Sequence, residues 1–245
     1  MKIKFTALIV ILCFVFSGCK KKNKAHSELK VTPVNFLSDT KYKKLVIDLV
    51  YDKGAPPSLE TINSIKNFLN AHINKPAGID IILKEINGTG KTQVSLADIT
   101  QIESTSRVNA TNGDILTAFV YLVNAGYSEN SNGYKTLGIQ YATNSIALFG
   151  KTMRDNSGGI TKPQYNILET TVALHEFGHI LGLVDAGTEM ISAHMDAPHG
   201  HHCSNNRCLM YYATETTDII KNLVGGSIPP MDNNCLNDLK NNGGK

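Results

Sequence analysis

The length, composition and charge of this chain are those of an ordinary globular protein. It has 245 residues, of which 42% are hydrophobic and 18% are charged, enough for one large domain or two small ones with a packed core. The formal net charge is +3 at pH 7, and it falls to +1 when Lys2 and Lys4, in a segment expected to be removed, are set aside. This near-neutral balance gives no electrostatic basis for binding nucleic acid or an acidic substrate.

The N-terminus has the features of an export signal. Two lysines precede an apolar run at 5–16, which is too short to span a bilayer as a helix. Two small residues and Cys19 follow, which resembles a bacterial lipoprotein signal, although Phe16 stands where such signals usually carry an aliphatic residue. We therefore predict a signal peptide at 1–18 and an exported protein anchored to the membrane through lipidated Cys19. The alternative is an ordinary cleaved signal peptide with an incidental cysteine.

The rest of the chain predicts a tether at 19–42, which is polar and lysine-rich, and a single domain at 43–245. Apolar runs and helical periodicity alternate along that domain. Predicted strands cover 45–51, 79–86, 115–124, 137–141 and 145–149, and predicted helices cover 59–73, 95–103, 161–181, 215–223 and 232–240. The order indicates an α+β fold, with an α/β-like N-terminal subdomain at about 43–182 and a helical C-terminal subdomain at about 183–245.

The motif HEFGH at 175–179 carries the predicted chemistry. His175 and His179, four residues apart, share one helix face, so both imidazoles can reach one Zn²⁺ at about 2.0–2.1 Å. Glu176 is the predicted general base that activates zinc-bound water. Gly178 costs about 1 kcal/mol in a helix interior, which indicates close approach of another group, and Gly182 is placed to end the helix in a left-handed turn. The alternative is a solvent-facing turn of helix, which the apolar neighbours of the motif disfavour.

From about His175 to Met210 the chain resembles the metzincin clan of zinc peptidases. The pattern of that clan is HExxHxxGxx followed by His or Asp, then a Met in a tight turn. The chain is most similar to archaemetzincin-type proteins, in which the third His is followed by Cys, four residues, Cys, one residue and Met, as it is from His202 to Met210. It departs by an insertion, because the position six residues after His179 holds Asp185, and His202 comes 17 residues later.

The resemblance implies two alternative ligand sets for a catalytic zinc with an open position. In one, His202 returns to the metal and completes three imidazoles, and Asp185 orients a histidine. In the other, Asp185 is the third ligand. We favour His202, because it keeps its family spacing to Met210. Met210 is expected to form an apolar floor beneath the site. Tyr212 is expected either to assist the metal or to be an ordinary core tyrosine.

Three cysteines would remain in the exported chain beyond Cys19. An oxidising compartment and short spacing predict a disulfide between Cys203 and Cys208, which leaves Cys235 as a free thiol or a competing partner. Archaemetzincins also resemble this chain in having paired cysteines that could hold a structural zinc, but their later Cys-x-x-Cys is missing here, so the disulfide is favoured. The inserted loop is rich in metal-binding residue types: His194, Asp196, His199 and His201. A solvated loop is favoured there over a second metal site.

The function implied by the resemblance is that of a zinc-dependent metalloendopeptidase acting on peptides or proteins outside the cytoplasm. The strand at 145–149 is the expected edge strand that pairs with an extended substrate. One alternative is a zinc hydrolase of another amide bond. The other is a catalytically inactive zincin-fold lipoprotein that acts as a binding module, which the presence of Glu176 disfavours.

Overall fold

The structure is a computed structural model that describes residues 31–130, 134–223 and 226–245. The predicted signal peptide and the predicted lipidation site Cys19 lie outside the described residues. In the described ranges, no helix is both long enough and apolar enough to cross a membrane.

A five-stranded sheet with the order β2-β1-β4-β7-β6 forms the centre of the fold. Its strands are β1 (Lys44–Asp52), β2 (Ile79–Ile86), β4 (Ile115–Val123), β6 (Gly138–Ala142) and β7 (Ser145–Phe149). The first three strands in this order and β7 run parallel, whereas β6 is antiparallel to β7. Two short strands, β3 (Gln93–Val94) and β5 (Gly126–Tyr127), pair separately. β1, β4 and β7 are covered on both faces, and their sequences are accordingly almost continuous apolar runs, interrupted by the buried Asp48 and Thr117.

Helices cover both faces of the sheet. They are α1 (Pro33–Leu37), α2 (Leu59–His72), α3 (Leu96–Ser106), α4 (Gly150–Asp155), α5 (Tyr165–Ile180), α6 (Ile220–Leu223) and α7 (Asn233–Asn241). Ser58 and Ser95 cap α2 and α3, each accepting a backbone N–H of the first turn with its hydroxyl. The main core lies between the sheet and the helices α2 and α5, and a smaller apolar cluster on the opposite face packs under α3.

The predicted tether at 19–42 is wrong for its last twelve residues, which belong to the domain. Four of their side chains are buried in the main core: Val31, Phe36, Leu37 and Tyr42. Pro33 of α1 also lies against the turn that follows α5, since a Cβ at Gly182 would come within 2.6 Å of the Pro33 Cβ. The segment is polar overall, so its few apolar residues did not predict that it packs against the core.

The predicted edge strand at 145–149 is an internal strand. β7 pairs with β4 on one side and with β6 on the other, so β6 is the edge. The reason is the tight turn at 143–144, which folds β6 back antiparallel onto β7. Helix α5 also begins later than predicted, at Tyr165, with Gln164 at its N-cap position.

Candidate metal centre

Helix α5 places two histidines in the interior beside the sheet. His175 and His179 are buried one turn apart, and their Nε2 atoms are 3.1 Å from each other. The helix ends as predicted, because Gly182 takes a left-handed φ of 78° and its N–H donates to the His179 carbonyl. The apolar face of α5 is what buries this pair of imidazoles against the sheet.

The inserted loop returns His202 to this pair. The His202 ring centroid lies 5.3 Å from that of His175 and 5.0 Å from that of His179. We call these three residues the imidazole cluster. The loop begins in a turn closed by Thr188, whose hydroxyl donates to the Leu181 carbonyl at 2.6 Å.

The alternative third ligand, Asp185, is not brought to the imidazole cluster. It is exposed, and it follows Val184 in a left-handed turn with φ of 61° and 55° respectively. It also does not orient a histidine in the way expected, because the ring N–H of His175 goes to the Leu209 carbonyl instead. The positive φ values show that the backbone turns here, and the turn leaves the Asp185 side chain at the surface.

The ring nitrogens of the imidazole cluster are set up for a metal. The Nδ1 atoms of His175 and His202 donate to the carbonyls of Leu209 and His199, at 2.7 and 2.9 Å, which leaves both Nε2 atoms as bare acceptors. The His202 Nε2 is buried without a hydrogen-bond partner among the described residues. Burial lowers the pKa of His175 to about 4 and that of His179 well below its usual range, whereas at His202 the effect of burial is outweighed by the Glu215 carboxylate, which raises the pKa. Neutral imidazoles with bare Nε2 atoms are the form that binds a divalent metal.

Glu176 is fully buried next to the imidazole cluster, and neither carboxylate oxygen has a hydrogen-bond partner in the described part of the chain. Burial raises its pKa well above the usual range, and the nearby Glu215 carboxylate adds to the effect. Gly138 of β6 lets the strand pass close by, because a Cβ there would lie 2.8 Å from the Glu176 Oε1. Burying a carboxylate without a partner costs free energy. The position of Glu176 is therefore the one expected for a group that interacts with a nearby cation or exchanges a proton during a reaction.

Glu215 is a site residue that sequence reasoning missed. Its Oε2 is 3.6 Å from the His202 Nε2, and one donor atom from Glu215 and each member of the imidazole cluster lie within 4.8 Å of one another. A cavity of about 230 Å³ opens beside them between β6, at Ile139 and Gln140, and the inserted loop, at His201. The five-residue spacing from Met210 to Glu215 carries no motif by which the sequence could have indicated this carboxylate.

Two further predicted site residues lie close to the cluster but in different settings. Met210 is fully buried below α5, and a Cβ at Gly178 would overlap its Sδ atom. This contact is the close approach that a glycine inside the helix predicted. The Tyr212 ring is stacked on His199, with centroids 3.5 Å apart and planes within 3°.

Comparison with known proteins identifies the fold. No family model and no curated protein matches this chain. Among solved structures, it is similar to the archaemetzincin of Methanopyrus kandleri, with a TM-score of 0.52 and 14% identity over 82% of this chain and 96% of that one. It is also similar to a zinc-dependent peptidase of Methanocorpusculum labreanum, with a TM-score of 0.50 and 12% identity over 79% of this chain and 99% of that one.

The chain has an archaemetzincin-like fold. This confirms the predicted mixed architecture, a mostly parallel sheet with helices packed on it. The archaemetzincin-like fold brings the C-terminal part of the chain under α5, and a second group of metal-binding side chains lies there.

The structure does not contain the predicted disulfide between Cys203 and Cys208: both are free thiols, as is Cys235. All three are buried, and the Cys208 Sγ lies 3.7 Å from the Cys235 Sγ, far beyond the roughly 2.05 Å of a disulfide bond. Helix α7 brings Cys235 to the other two, which their sequence spacing could not show. We call the three cysteines, with His194 and Asp232 beside them, the thiol cluster.

His194 of the inserted loop is part of the thiol cluster, so the expectation of a wholly solvated loop is wrong for this residue. Its Nε2 donates to the buried Asp238 at 2.7 Å, and its Nδ1 is buried with no hydrogen-bond partner in the described residues. Donor atoms of His194, Cys203, Asp232 and Cys235 lie within 4.8 Å of one another. A carboxylate that holds the far nitrogen of a histidine is the usual support of a metal ligand.

Cys208 has the environment of a thiolate. Its sulfur accepts the backbone N–H groups of Met210 and Asp232 at 3.4 and 3.3 Å. Contacts with the Cys203 and Cys235 thiols, together with these amides, lower its pKa well below the usual range of a thiol. Since the thiolate is the metal-binding form of cysteine, the thiol cluster could hold a metal ion of its own.

Proposed function

We propose that the protein is a zinc-dependent metallopeptidase that hydrolyses peptide bonds at the imidazole cluster. The observation that carries this proposal is the set of three imidazoles whose Nε2 atoms converge beside the buried Glu176 carboxylate. Three protein nitrogens with a further open position are the ligands of a catalytic zinc. The two structures of similar fold, described as an archaemetzincin and a zinc-dependent peptidase, support the same chemistry.

Glu176 is the proposed general base and acid. When bound, zinc would polarise the substrate carbonyl and lower the pKa of a water molecule. The Glu176 carboxylate would take a proton from the attacking water and deliver it to the leaving amine nitrogen. Its raised pKa, caused first by burial, favours holding that proton between the two transfers.

The proposed substrate is an extended peptide that adds to the edge of the sheet at β6. This strand has a neighbour on one side only and borders the cavity through Ile139 and Gln140. The free backbone groups of an edge strand can pair with a peptide along its length. Such pairing does not need a free N-terminus or C-terminus in the substrate. It therefore favours an endopeptidase, which cleaves within a chain.

The proposed place of action is outside the cytoplasm. The support is the sequence at 1–19, where a positive, apolar and small-residue pattern ends at Cys19. Lipidation of Cys19 would tether the catalytic domain to a membrane. The domain itself needs no membrane-spanning helix for this arrangement.

A test of the proposed function is Glu176→Gln in the zinc-loaded protein, with Glu189→Gln, at an exposed carboxylate, as the matched control. Loss of general acid–base catalysis should lower kcat/KM for a mixture of unstructured peptides by about 10²–10⁴-fold. Bound zinc should be unchanged in both variants. Equal turnover by wild type and Glu176→Gln would refute the mechanism. Zinc binding without cleavage of any peptide would favour the binding module, and cleavage of only small non-peptide amides would favour the other hydrolase.

We further propose a structural zinc at the thiol cluster, held by Cys203, Cys208, Cys235 and His194. The supporting observations are the convergence of the sulfurs, the bare Nδ1 of His194 and the amide bonds to Cys208. Asp232 is given a supporting role, because its Oδ1 accepts the Cys235 N–H as the cap of α7 and its Oδ2 accepts the Cys203 thiol at 3.2 Å. Three cysteines and one histidine form a closed set for structural zinc.

A further inference from the structure

Glu215 is held in place by the backbone next to the edge strand. It is the last residue of the 3₁₀ turn Tyr212–Glu215, and its carbonyl accepts the Leu137 N–H at 2.8 Å. The next residue, Thr216, forms an isolated β-bridge with Thr136. The carboxylate is therefore carried by a turn that is fastened to the chain entering β6.

The distance from Glu215 to the imidazole cluster fits two ligands of one ion better than a hydrogen bond. Its Oε2 is 3.6 Å from the His202 Nε2, which is too long for a charge-assisted hydrogen bond. Two tetrahedral ligands, each bonded to zinc at about 2.0–2.1 Å, are separated by about 3.4 Å. The His175 and His179 nitrogens, 3.1 Å apart, have a similar spacing.

The charges around the cluster also favour a carboxylate on the ion. The imidazoles contribute no negative charge, and the carboxyl groups of Glu176 and Glu215 lie close enough to interact within one partly closed site. A divalent cation between the imidazoles would relieve the repulsion between them. The Glu215 side chain is only one-third exposed, so water screens this interaction incompletely.

The residue that the family resemblance suggested for this position, Tyr212, is occupied elsewhere. Its ring lies flat on His199, which belongs to the inserted loop. His199 is in turn bound through Nδ1 to Asp196 at 2.7 Å. The insertion thus holds the tyrosine at the rim, and the turn that follows directs Glu215 toward the histidines.

We propose that Glu215 is a fourth protein ligand of the metal held by the imidazole cluster, an inference that rests on the proposed function. Glu215 would then hold the ion together with the three imidazoles, and the bound ion would supply the Lewis acidity for the hydrolysis. Glu215 is thus assigned to binding the metal, whereas Glu176 is the proposed acceptor and donor of protons.

The experiment measures metal binding by the purified protein for wild type, Glu215→Ala, Glu215→Gln and the control Glu189→Gln. Zinc affinity at the imidazole cluster is obtained by competition with a chromogenic chelator, with His175→Ala used to identify that site. Cobalt(II) replaces zinc for visible absorption spectra, because the intensity of the d–d bands reports the number of ligands. Near-ultraviolet thiolate-to-cobalt bands report the thiol cluster in the same sample and serve as an internal reference.

Both Glu215 variants should weaken zinc binding by about 100-fold or more, since even outer partners of ligands are worth about 10–100-fold. Their cobalt d–d bands should change while the thiolate bands and the control stay at wild-type values. Unchanged affinity, or weaker affinity with unchanged d–d bands, would overturn the assignment and leave Glu215 as a partner of His202 only. Failure of wild type to bind zinc that depends on His175 would instead overturn the proposed function.

Discussion

Gly178 and Met210 meet directly beneath the imidazole cluster. The missing Cβ of Gly178 makes room for the Met210 sulfur, and Met210 is itself fully buried. Because packed interiors transmit strain, the fit between these two residues controls how α5 presents His175 and His179. An apolar floor of this kind also keeps water away from the underside of the metal site.

Gly178→Ala should therefore lower stability even though alanine is the better helix former. The gain in helix propensity is about 1 kcal/mol, whereas overpacking a core costs typically about 1–3 kcal/mol. The free energy of unfolding, measured by urea titration of the zinc-loaded protein, should fall by up to about 2 kcal/mol. The double variant with Met210→Ala should show a favourable coupling of roughly 0.5–3 kcal/mol relative to the sum of the single variants. A Gly178→Ala protein more stable than wild type would contradict the contact.

The turn after α5 is the element that separates this chain from a simple metzincin pattern. It contains left-handed residues at Gly182, Val184, Asp185 and Gly187. Valine in this conformation is strained, and it is tolerated here because its side chain is fully buried in the main core. The turn sends Asp185 to the surface and starts the inserted loop that returns with His202.

Substitutions of Asp185 test whether this residue serves only the conformation of the turn and does not bind the metal. Asp185→Gly should raise the free energy of unfolding by up to about 1 kcal/mol, because an L-residue with left-handed φ costs about 1–2 kcal/mol and aspartate somewhat less. Asp185→Asn keeps the preference for this conformation and removes the charge, so its stability should be close to that of wild type. Zinc content should be unchanged in both, whereas His202→Ala should lose the zinc of the imidazole cluster. Zinc loss in Asp185→Asn would restore Asp185 as the third ligand.

The elements that the sequence predicted well are those with strong local signals. β1, β2 and β7 match their apolar runs closely, and the serine caps define the starts of α2 and α3. The short helices α1 and α4 were missed, because five or six residues give little periodicity and such helices depend on tertiary contacts. The edge position of β6 depends on strand order, which no local pattern encodes.

In the candidate metal centre, too, the residues with a local sequence signal were predicted and those placed by long-range folding were not. His175, Glu176 and His179 share one helical segment, so their spacing alone predicts a common site. The prediction of His202 needed a family resemblance, since an insertion separates it from the helix. Glu215 and Cys235 reach their clusters only through long-range folding, and nothing in their sequence surroundings distinguishes them from surface or core residues.

The thiol cluster connects three separate parts of the chain. Cys203 and Cys208 lie in the segment just before Met210, His194 comes from the inserted loop, and Cys235 lies in the first turn of α7. The Cys203 N–H also donates to the Met210 carbonyl at 2.7 Å. A metal at this cluster would thus fix the floor of the imidazole cluster as well as the C-terminal helix.

The purified protein, kept under reducing conditions, should accordingly contain two zinc ions per chain. His194→Ala and Cys235→Ser should each lose one of them, while His201→Ala, at an exposed histidine of the same loop, should retain both. At a metal concentration about a thousandfold above Kd, the lost ion is worth about 4 kcal/mol. This corresponds to a fall in Tm of roughly 8–16 °C for a chain of this size.

The thiol cluster can be tested separately against a disulfide. Metal content by atomic absorption, Tm by calorimetry and thiol titration after denaturation should be measured on the same samples. Asp232→Asn should keep the second zinc, since its carboxylate caps α7 and is not assigned as a ligand. One zinc in the wild type, lost with His175→Ala and insensitive to Cys235→Ser, would contradict the second site. A titration that finds two thiols missing from protein purified without reductant would show that oxidation outcompetes the metal. The two bonded sulfurs would then be about 2.05 Å apart, much closer than the 3.7 Å that separates Cys208 from Cys235 here.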